Sequence, residues 1–162
     1  NILIEYSPKQ KEILSEETAF MMTNLMQTVI DRGTGGRVRW KYNFYHPAAG
    51  KTGTTQGWTD AWFVGFSTQI AAGAWFGIDD PQVSLGKGAD GTRAALPAWA
   101  RFMKTAHDSL YYSKEKFQQP EKVQTFSICQ VSKEKPTPLC PLEKELFILG
   151  TDPSRLCKIH RR

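Results

Sequence analysis

Six consecutive residues, Gly50-Lys51-Thr52-Gly53-Thr54-Thr55, place a cation and three hydroxyls in one short run. In an extended strand side chains alternate, so Lys51, Gly53 and Thr55 face one way and Thr52 and Thr54 the other. A glycine between hydroxyl residues leaves room for a substrate backbone to lie against the strand. A Lys-Thr-Gly triplet arises by chance in roughly 4% of chains of this length, so its context decides. Gly-Lys-Thr also ends the phosphate-binding loop of nucleotide enzymes, but the first glycine of that pattern would fall on Tyr45. Such a loop must also run into a helix whose N–H groups face the phosphates, whereas Gly53, Gly57 and two threonines follow here.

The nucleophile patterns that the chain contains are weak. Ser-x-x-Lys occurs at Ser84 with Lys87, Ser113 with Lys116, and Ser132 with Lys135, all downstream of Lys51. A two-position pattern is expected about once by chance in a chain of this size, and all three are read as decoys. No Ser-x-Asn or Tyr-x-Asn is present. Gly65-Phe66-Ser67-Thr68-Gln69 lacks the last glycine of a nucleophile elbow, and His46, His107 and His160 have no zincin-like spacing. Cys129, Cys140, Cys157 and His160 contain the donors of a Cys3His zinc site. Their cysteine spacings of eleven and seventeen lack the close pair usual for one.

The elements that would position the strand follow from periodicity and turn residues. Ser15 is an N-cap with Glu16 and Glu17 in the first turn, and Gly33 is the stop, which predicts a helix over 15–32. Ala19, Met22, Leu25, Met26, Val29 and Ile30 would form its one buried face. A polar, aromatic-containing loop runs from Gly33 to Pro47. Three strands are then expected, Ala48 to Thr55, Ala61 to Ser67 and Ile70 to Ile78, the last two forming an antiparallel hairpin across Ser67, Thr68 and Gln69. A loop through Asp79-Asp80-Pro81 and Gly86 to Gly91 leads to a helix over Ala94 to Ala106. Pro97 sits in its first turn, with Leu96, Trp99, Phe102 and Met103 on one side. Beyond 110 the composition shifts to Lys, Glu, Gln and Pro with all three cysteines, which sets a boundary between 1–110 and an appendix, 111–162.

With these elements in order, the sequence resembles the serine acyltransferases that react with penicillin, whose third motif is Lys-Thr-Gly. The runs Gly50 to Thr55, Asp60-Ala61-Trp62-Phe63-Val64-Gly65-Phe66, Ala74-Trp75-Phe76-Gly77, Leu96-Pro97-Ala98-Trp99 and Phe102-Met103 resemble the transpeptidase domain of class A penicillin-binding proteins. Arg32-Gly33-Thr34-Gly35 after the first helix fits as well, and the resemblance extends over about residues 1–107. A class A β-lactamase shares the triplet but usually follows it with a small residue and glycine, where this chain has Thr54-Thr55. The resemblance implies an α+β fold, an antiparallel sheet packed by helices, forming the C-terminal portion of a D,D-transpeptidase domain over 1–110.

It further implies that Lys51 and Thr54 are catalytic, and that Lys51, Thr52, Gly53 and Thr54 bind substrate. The Thr54 amide would donate to the oxyanion, the Thr52 and Thr54 hydroxyls would hold the substrate carboxylate, and Gly53 would permit close approach. Lys51 would supply charge and hydrogen bonds toward a Ser-x-Asn serine. Asp60 and Trp62 match the pattern but read as structural. The nucleophile and its lysine would lie upstream of Asn1, with a glycosyltransferase domain and membrane anchor further N-terminal, and the setting would be extracytoplasmic. Partners would be D-Ala-D-Ala stem peptides of peptidoglycan and β-lactams, with no cofactor and no metal. That setting favours a disulfide among the cysteines, with one left over. A noncatalytic ligand-binding or interaction module of the same fold is the alternative.

Composition agrees with a globular chain. Hydrophobic residues make up 40% and charged residues 23%, which excludes a disordered chain. The longest apolar stretch, Ile70 to Ile78, is nine residues with two glycines, too short for a bilayer span. The start carries no secretory leader pattern and the first residue is Asn1, so an interior piece of a longer protein is expected. The net charge of +5 lies mostly in the tail: 111–162 hold 10 basic and 6 acidic residues, and 1–110 hold 11 and 10. Arg32, Arg37, Arg39 and Lys41 come nearest to a basic arm, so a nucleic-acid partner is not expected.

Overall fold

A computed structural model describes residues 11–80 and 82–160, so Pro81 of the expected Asp79-Asp80-Pro81 turn lies outside the described residues. In chain order it contains α1 (Glu16–Asp31), α2 (Arg37–Trp40), β1 (Ala48–Thr54), β2 (Asp60–Ser67), β3 (Ala71–Gly77), α3 (Ala95–Ser109), β4 (Val123–Cys129) and β5 (Leu142–Ile148). The chain divides into two compact units. One is Met22–Gln118, and the other joins the segment ending at Met21 to that beginning at Gln119.

In the first unit β1, β2 and β3 form an antiparallel meander in that order. Alternation along β2 buries Ala61, Phe63, Gly65 and Ser67 and leaves Trp62 and Val64 exposed. The buried side packs on α3 through Trp99, whose ring lies 4.8 Å from that of Phe63. The Trp99 indole N–H donates to Ala72 O at 3.0 Å and Gly65 O at 3.3 Å, tying the helix to two strands. Ile30, Val38, Phe44, Ala48, Leu96 and Met103 complete this core.

The expected helices and strands are present with ends shifted by up to three residues. Thr18 N donates to Ser15 Oγ at 3.3 Å, which is the cap expected at the start of α1. Four corrections carry physical content. On α3 the buried stripe is Leu96, Trp99, Ala100, Met103 and His107, and Phe102 is 53% exposed. Phe102 is one residue, about 100° of helix, away from Met103 and so off the stripe. On α1 only Ile30 is buried, Met26 and Val29 are half-buried, and Met22 and Leu25 are 49% and 60% exposed. The 33–47 connection holds one helical turn, α2, too short to leave a periodic signal.

The second unit contains a two-stranded antiparallel sheet, β4 with β5, in register Val123↔Ile148 to Cys129↔Leu142. Phe126 and Phe147 meet edge-to-face at 6.1 Å. After the hairpin the chain returns beside Lys135, where Lys135 N donates to Arg155 O and Cys157 N to Lys135 O, both at 2.9 Å. The fourth correction is that no disulfide joins the cysteines. Cys129 and Cys157 bring their sulfurs to 3.6 Å, beyond the ~2.05 Å of a bond, and each lies 3.5 Å from His160 Nδ1.

Candidate functional site

The strand bearing Lys51 is fixed at its entrance by an arginine. Arg39 donates to Asp31 Oδ1 from Nε at 2.9 Å and from a terminal nitrogen at 2.7 Å, holding the end of α1. Its other terminal nitrogen donates to Phe44 O at 2.8 Å and His46 O at 2.7 Å, holding the chain just before β1. Ala48, Ala49 and Gly50 are buried, and the strand then emerges with Lys51 exposed, Thr52 and Gly53 half-buried and Thr54 exposed.

β1 is an outer strand of its sheet, paired with β2 on one side only. Thr55 N donates to Asp60 O at 3.2 Å, toward β2. In an antiparallel strand the backbone groups of successive residues point to alternate sides, so the N–H groups of Thr54 and Thr52 point to the unpaired edge. The pleat puts Lys51 and Thr52 on opposite faces. The long lysine stem nevertheless carries its ammonium around the edge, where Nζ donates to Thr52 O at 2.9 Å and Thr52 Oγ1 at 3.3 Å. Gly53 lies opposite Trp62, and a Cβ there would stand 3.2 Å from Trp62 Cβ, so the glycine also serves cross-strand packing.

The loop expected to end at Gly91 completes this corner through a contact with Thr54 that no local pattern signals. Asp90 Oδ1 accepts from Thr92 N at 2.8 Å and Arg93 N at 2.9 Å, shaping the turn into α3. Buried Gly91 then donates its N–H to Thr54 Oγ1 at 3.1 Å and accepts from Leu96 N at 2.8 Å. A side chain at 91 would overlap Trp62 O and lie 2.9 Å from Gly53 O, so only glycine lets the loop approach. Because the Thr54 oxygen accepts from Gly91, its own O–H remains available to donate. The signal was the run Asp90-Gly91-Thr92 ahead of a helical pattern, a turn and cap signature read only as loop.

The remaining candidates are occupied elsewhere. Asp60 Oδ1 accepts from Trp75 Nε1 at 2.8 Å and Oδ2 from Thr59 Oγ1 at 3.1 Å, a structural post. Trp62 stands 6.1 Å from Trp75 in ring centroids. Ser84 Oγ donates to Gly57 O at 2.6 Å, Ser113 Oγ to Glu115 Oε1 at 2.7 Å, and Ser132 Oγ accepts from Glu134 N at 3.3 Å. Ser67 and His107, 40 residues apart, do meet, with Oγ 2.9 Å from Nε2. Both are buried, and the other ring nitrogen bonds Met103 O at 2.7 Å in place of a carboxylate, which makes the pair a core tie.

Residues 4–103 match the penicillin binding protein transpeptidase domain, and residues 119–162 match the C-terminal domain of penicillin-binding protein 1A. It is 33% identical to penicillin-binding protein 1A of Aquifex aeolicus over 96% of this chain and 21% of that one. It is 39% identical to penicillin-binding protein 1A of Pseudomonas aeruginosa over 61% of this chain and 12% of that one. The crystal structure of penicillin-binding protein 1A from Haemophilus influenzae superposes with a TM-score of 0.79 at 32% identity, covering 95% of this chain and 23% of that one. The chain thus spans about a fifth of the length of the first of these relatives. The α+β expectation agrees with that superposition, as does the recognition made from the motif order. With the transpeptidase match extending over more than half of its residues, the chain belongs to the family of penicillin-binding protein transpeptidase domains.

Proposed function

We propose that β1 forms one wall of the active site of a serine D,D-transpeptidase that cross-links peptidoglycan stem peptides and is acylated by β-lactams. The observation that carries the reading is the convergence, on one unpaired edge, of the Thr54 and Thr52 N–H groups and the Lys51 ammonium, with the Thr54 O–H left available to donate. Acyl transfer from a D-Ala-D-Ala peptide requires a serine nucleophile, donors for the oxyanion, and an anchor for the terminal carboxylate. Thr54 N–H is the oxyanion donor, the Thr52 and Thr54 hydroxyls anchor the carboxylate, and Gly53 keeps the strand clear of the peptide. Lys51 attracts the anionic substrate and assists proton transfer to the leaving group.

The nucleophilic serine, its lysine and the Ser-x-Asn segment come from residues outside this chain, which holds no Ser-x-Asn and whose three Ser-x-x-Lys runs all follow Lys51. Residues 1–110 are the C-terminal portion of the transpeptidase domain and 111–162 an appendix. The protein works outside the cytoplasm, anchored through a segment not contained here; no described helix is long and apolar enough to cross a membrane. The exposed Met22 and Leu25 of α1 and the exposed Trp62 and Val64 of β2 are surfaces for the rest of the domain. Intact-mass measurement after incubation with a labelled penicillin tests the reading. This chain alone should gain no adduct, and the longer gene product should gain one. A stoichiometric adduct on any serine of this chain, Ser84 included, would refute it.

A further inference from the structure

The second unit has a sparse apolar core. Among the described residues from 119 onward, only Val123, Ile128, Cys129 and Cys157 are fully buried. A two-stranded sheet is marginal in water, and units below about 70–80 residues usually add disulfides or a metal to a core this small. No disulfide is present, and three cysteines with one histidine converge instead. Cys129 closes β4, Cys140 lies in the connection to β5, and Cys157 and His160 come from the returning C-terminal segment. Their four donor atoms all lie within 4.8 Å of one another.

We propose that Cys129, Cys140, Cys157 and His160 bind one structural zinc ion in a closed tetrahedral Cys3His site. Zinc–sulfur bonds of ~2.3 Å and a zinc–nitrogen bond of ~2.05 Å at tetrahedral angles set S···S near 3.8 Å and S···N near 3.6 Å, by simple trigonometry. The Cys129 and Cys157 sulfurs are 3.6 Å apart, and each is 3.5 Å from His160 Nδ1. Three edges of the tetrahedron are therefore in place before any ion enters. Cys140 supplies the fourth corner, its sulfur accepting from Thr137 N at 3.2 Å.

The surroundings suit thiolates. Ser132 N donates to Cys129 Sγ at 3.5 Å, as Thr137 N does to Cys140, so amide donors face these sulfurs and orient them. Thr137 Oγ1 donates to His160 O at 2.6 Å, fastening the histidine segment to the loop that carries Cys140. On binding, the three thiols release their protons to solvent and neutral His160 coordinates through Nδ1. Four protein ligands leave no open position, which assigns the ion to folding and not to catalysis. The spacing objection also dissolves: the close pair is Cys157-x-x-His160, one cysteine and one histidine, and all three cysteines are used where a disulfide would leave one over.

The test uses the whole chain, isolated under mild reductant. Elemental analysis should give one zinc per chain, and replacement by Co2+ should produce tetrahedral d–d bands and a thiolate charge-transfer band. Cys140→Ser and His160→Ala should each weaken Co2+ binding by about tenfold or more. Removal of zinc by chelator should abolish amide-exchange protection of β4 and β5. All five tryptophans lie between Trp40 and Trp99, so their fluorescence reports the other unit and should stay unchanged. Absence of stoichiometric zinc from chain with three titratable thiols would overturn the proposal. So would Co2+ binding of equal strength in the two variants, a different metal in the site, or a Cys129–Cys157 disulfide as the main species. The cobalt spectrum and exchange data come from the unaltered chain, so they decide even if a variant fails to fold.

Discussion

Thr54 has two partners in prospect, Gly91 behind it and a substrate carboxylate in front, and the first can be measured without the second. Thr54→Val keeps the branched shape and deletes the oxygen that accepts from Gly91 N at 3.1 Å. A neutral hydrogen bond contributes about 1 kcal/mol, and a buried donor left without a partner costs about 1–3 kcal/mol. Gly91 is buried but Thr54 is exposed, so water approaching from the strand side offsets part of that cost. The expected loss is about 1–2 kcal/mol, a melting shift of roughly 2–8 °C at the usual 2–4 °C per kcal/mol for chains near this size. Thr54→Ser keeps the oxygen and should cost less than about 0.5 kcal/mol. Urea unfolding followed by tryptophan fluorescence reads the unit that contains both residues. A Thr54→Val variant within about 0.5 kcal/mol of wild type, the range of an ordinary surface change, would show that Gly91 is not held by this hydroxyl.

In the longer gene product, Lys51→Ala should slow penicillin acylation at least tenfold, because a hydrogen bond from a charged group contributes about 1.5–3 kcal/mol. Rates within twofold would make Lys51 an ordinary surface lysine. An ester replacing the Thr54 amide removes one oxyanion donor and should cost about 2.7–4 kcal/mol in the transition state, making it slowest in a series with Thr54→Ser near wild type and Thr54→Val weaker in carboxylate recognition. A folded ester variant that acylates at the wild-type rate would contradict the oxyanion assignment. Burial lowers the pKa of His46, whose Nδ1 has no hydrogen-bond partner, and the nearby His107 ring adds to the effect. The unfolded state then binds the extra proton more readily, so this contribution to stability is complete above about pH 6.5 and is lost as pH falls toward the folded value. The urea midpoint should drop between pH 7.5 and 5.5, and His46→Phe should flatten that slope; an unchanged slope would dismiss the histidine as its source.

The strands were legible because β-branched, aromatic and small residues alternate between turn signals, and Lys51 to Thr54 fell on β1 as read. What stayed hidden depended on partners distant in sequence. Gly91 reaches Thr54 across 37 residues, and Ser67 meets His107 across 40, neither leaving a local pattern. The α1 stripe shows the reverse failure: Met22 and Leu25 have the period of a buried face, yet burial also requires something to pack against. In the second unit the cysteine spacings of eleven and seventeen hide how closely the four donors gather, since Cys157 and His160 are only three positions apart and the other two meet them through the fold.

The meander of β1, β2 and β3 has a consequence for how the chain acquires its shape. Each pairing closes a connection of only a few residues, 55–59 between β1 and β2 and 68–70 between β2 and β3. Short closures carry little entropic penalty and form quickly, so the sheet can nucleate from its own neighbours in sequence. The outer edge of β1 is then exposed from an early moment, before any more distant segment reaches it. A lysine at the middle of that edge makes it a poor template for a second copy, since charge discourages edge-to-edge pairing. Lys51 thus has a reason to be where it is during folding that is independent of any substrate.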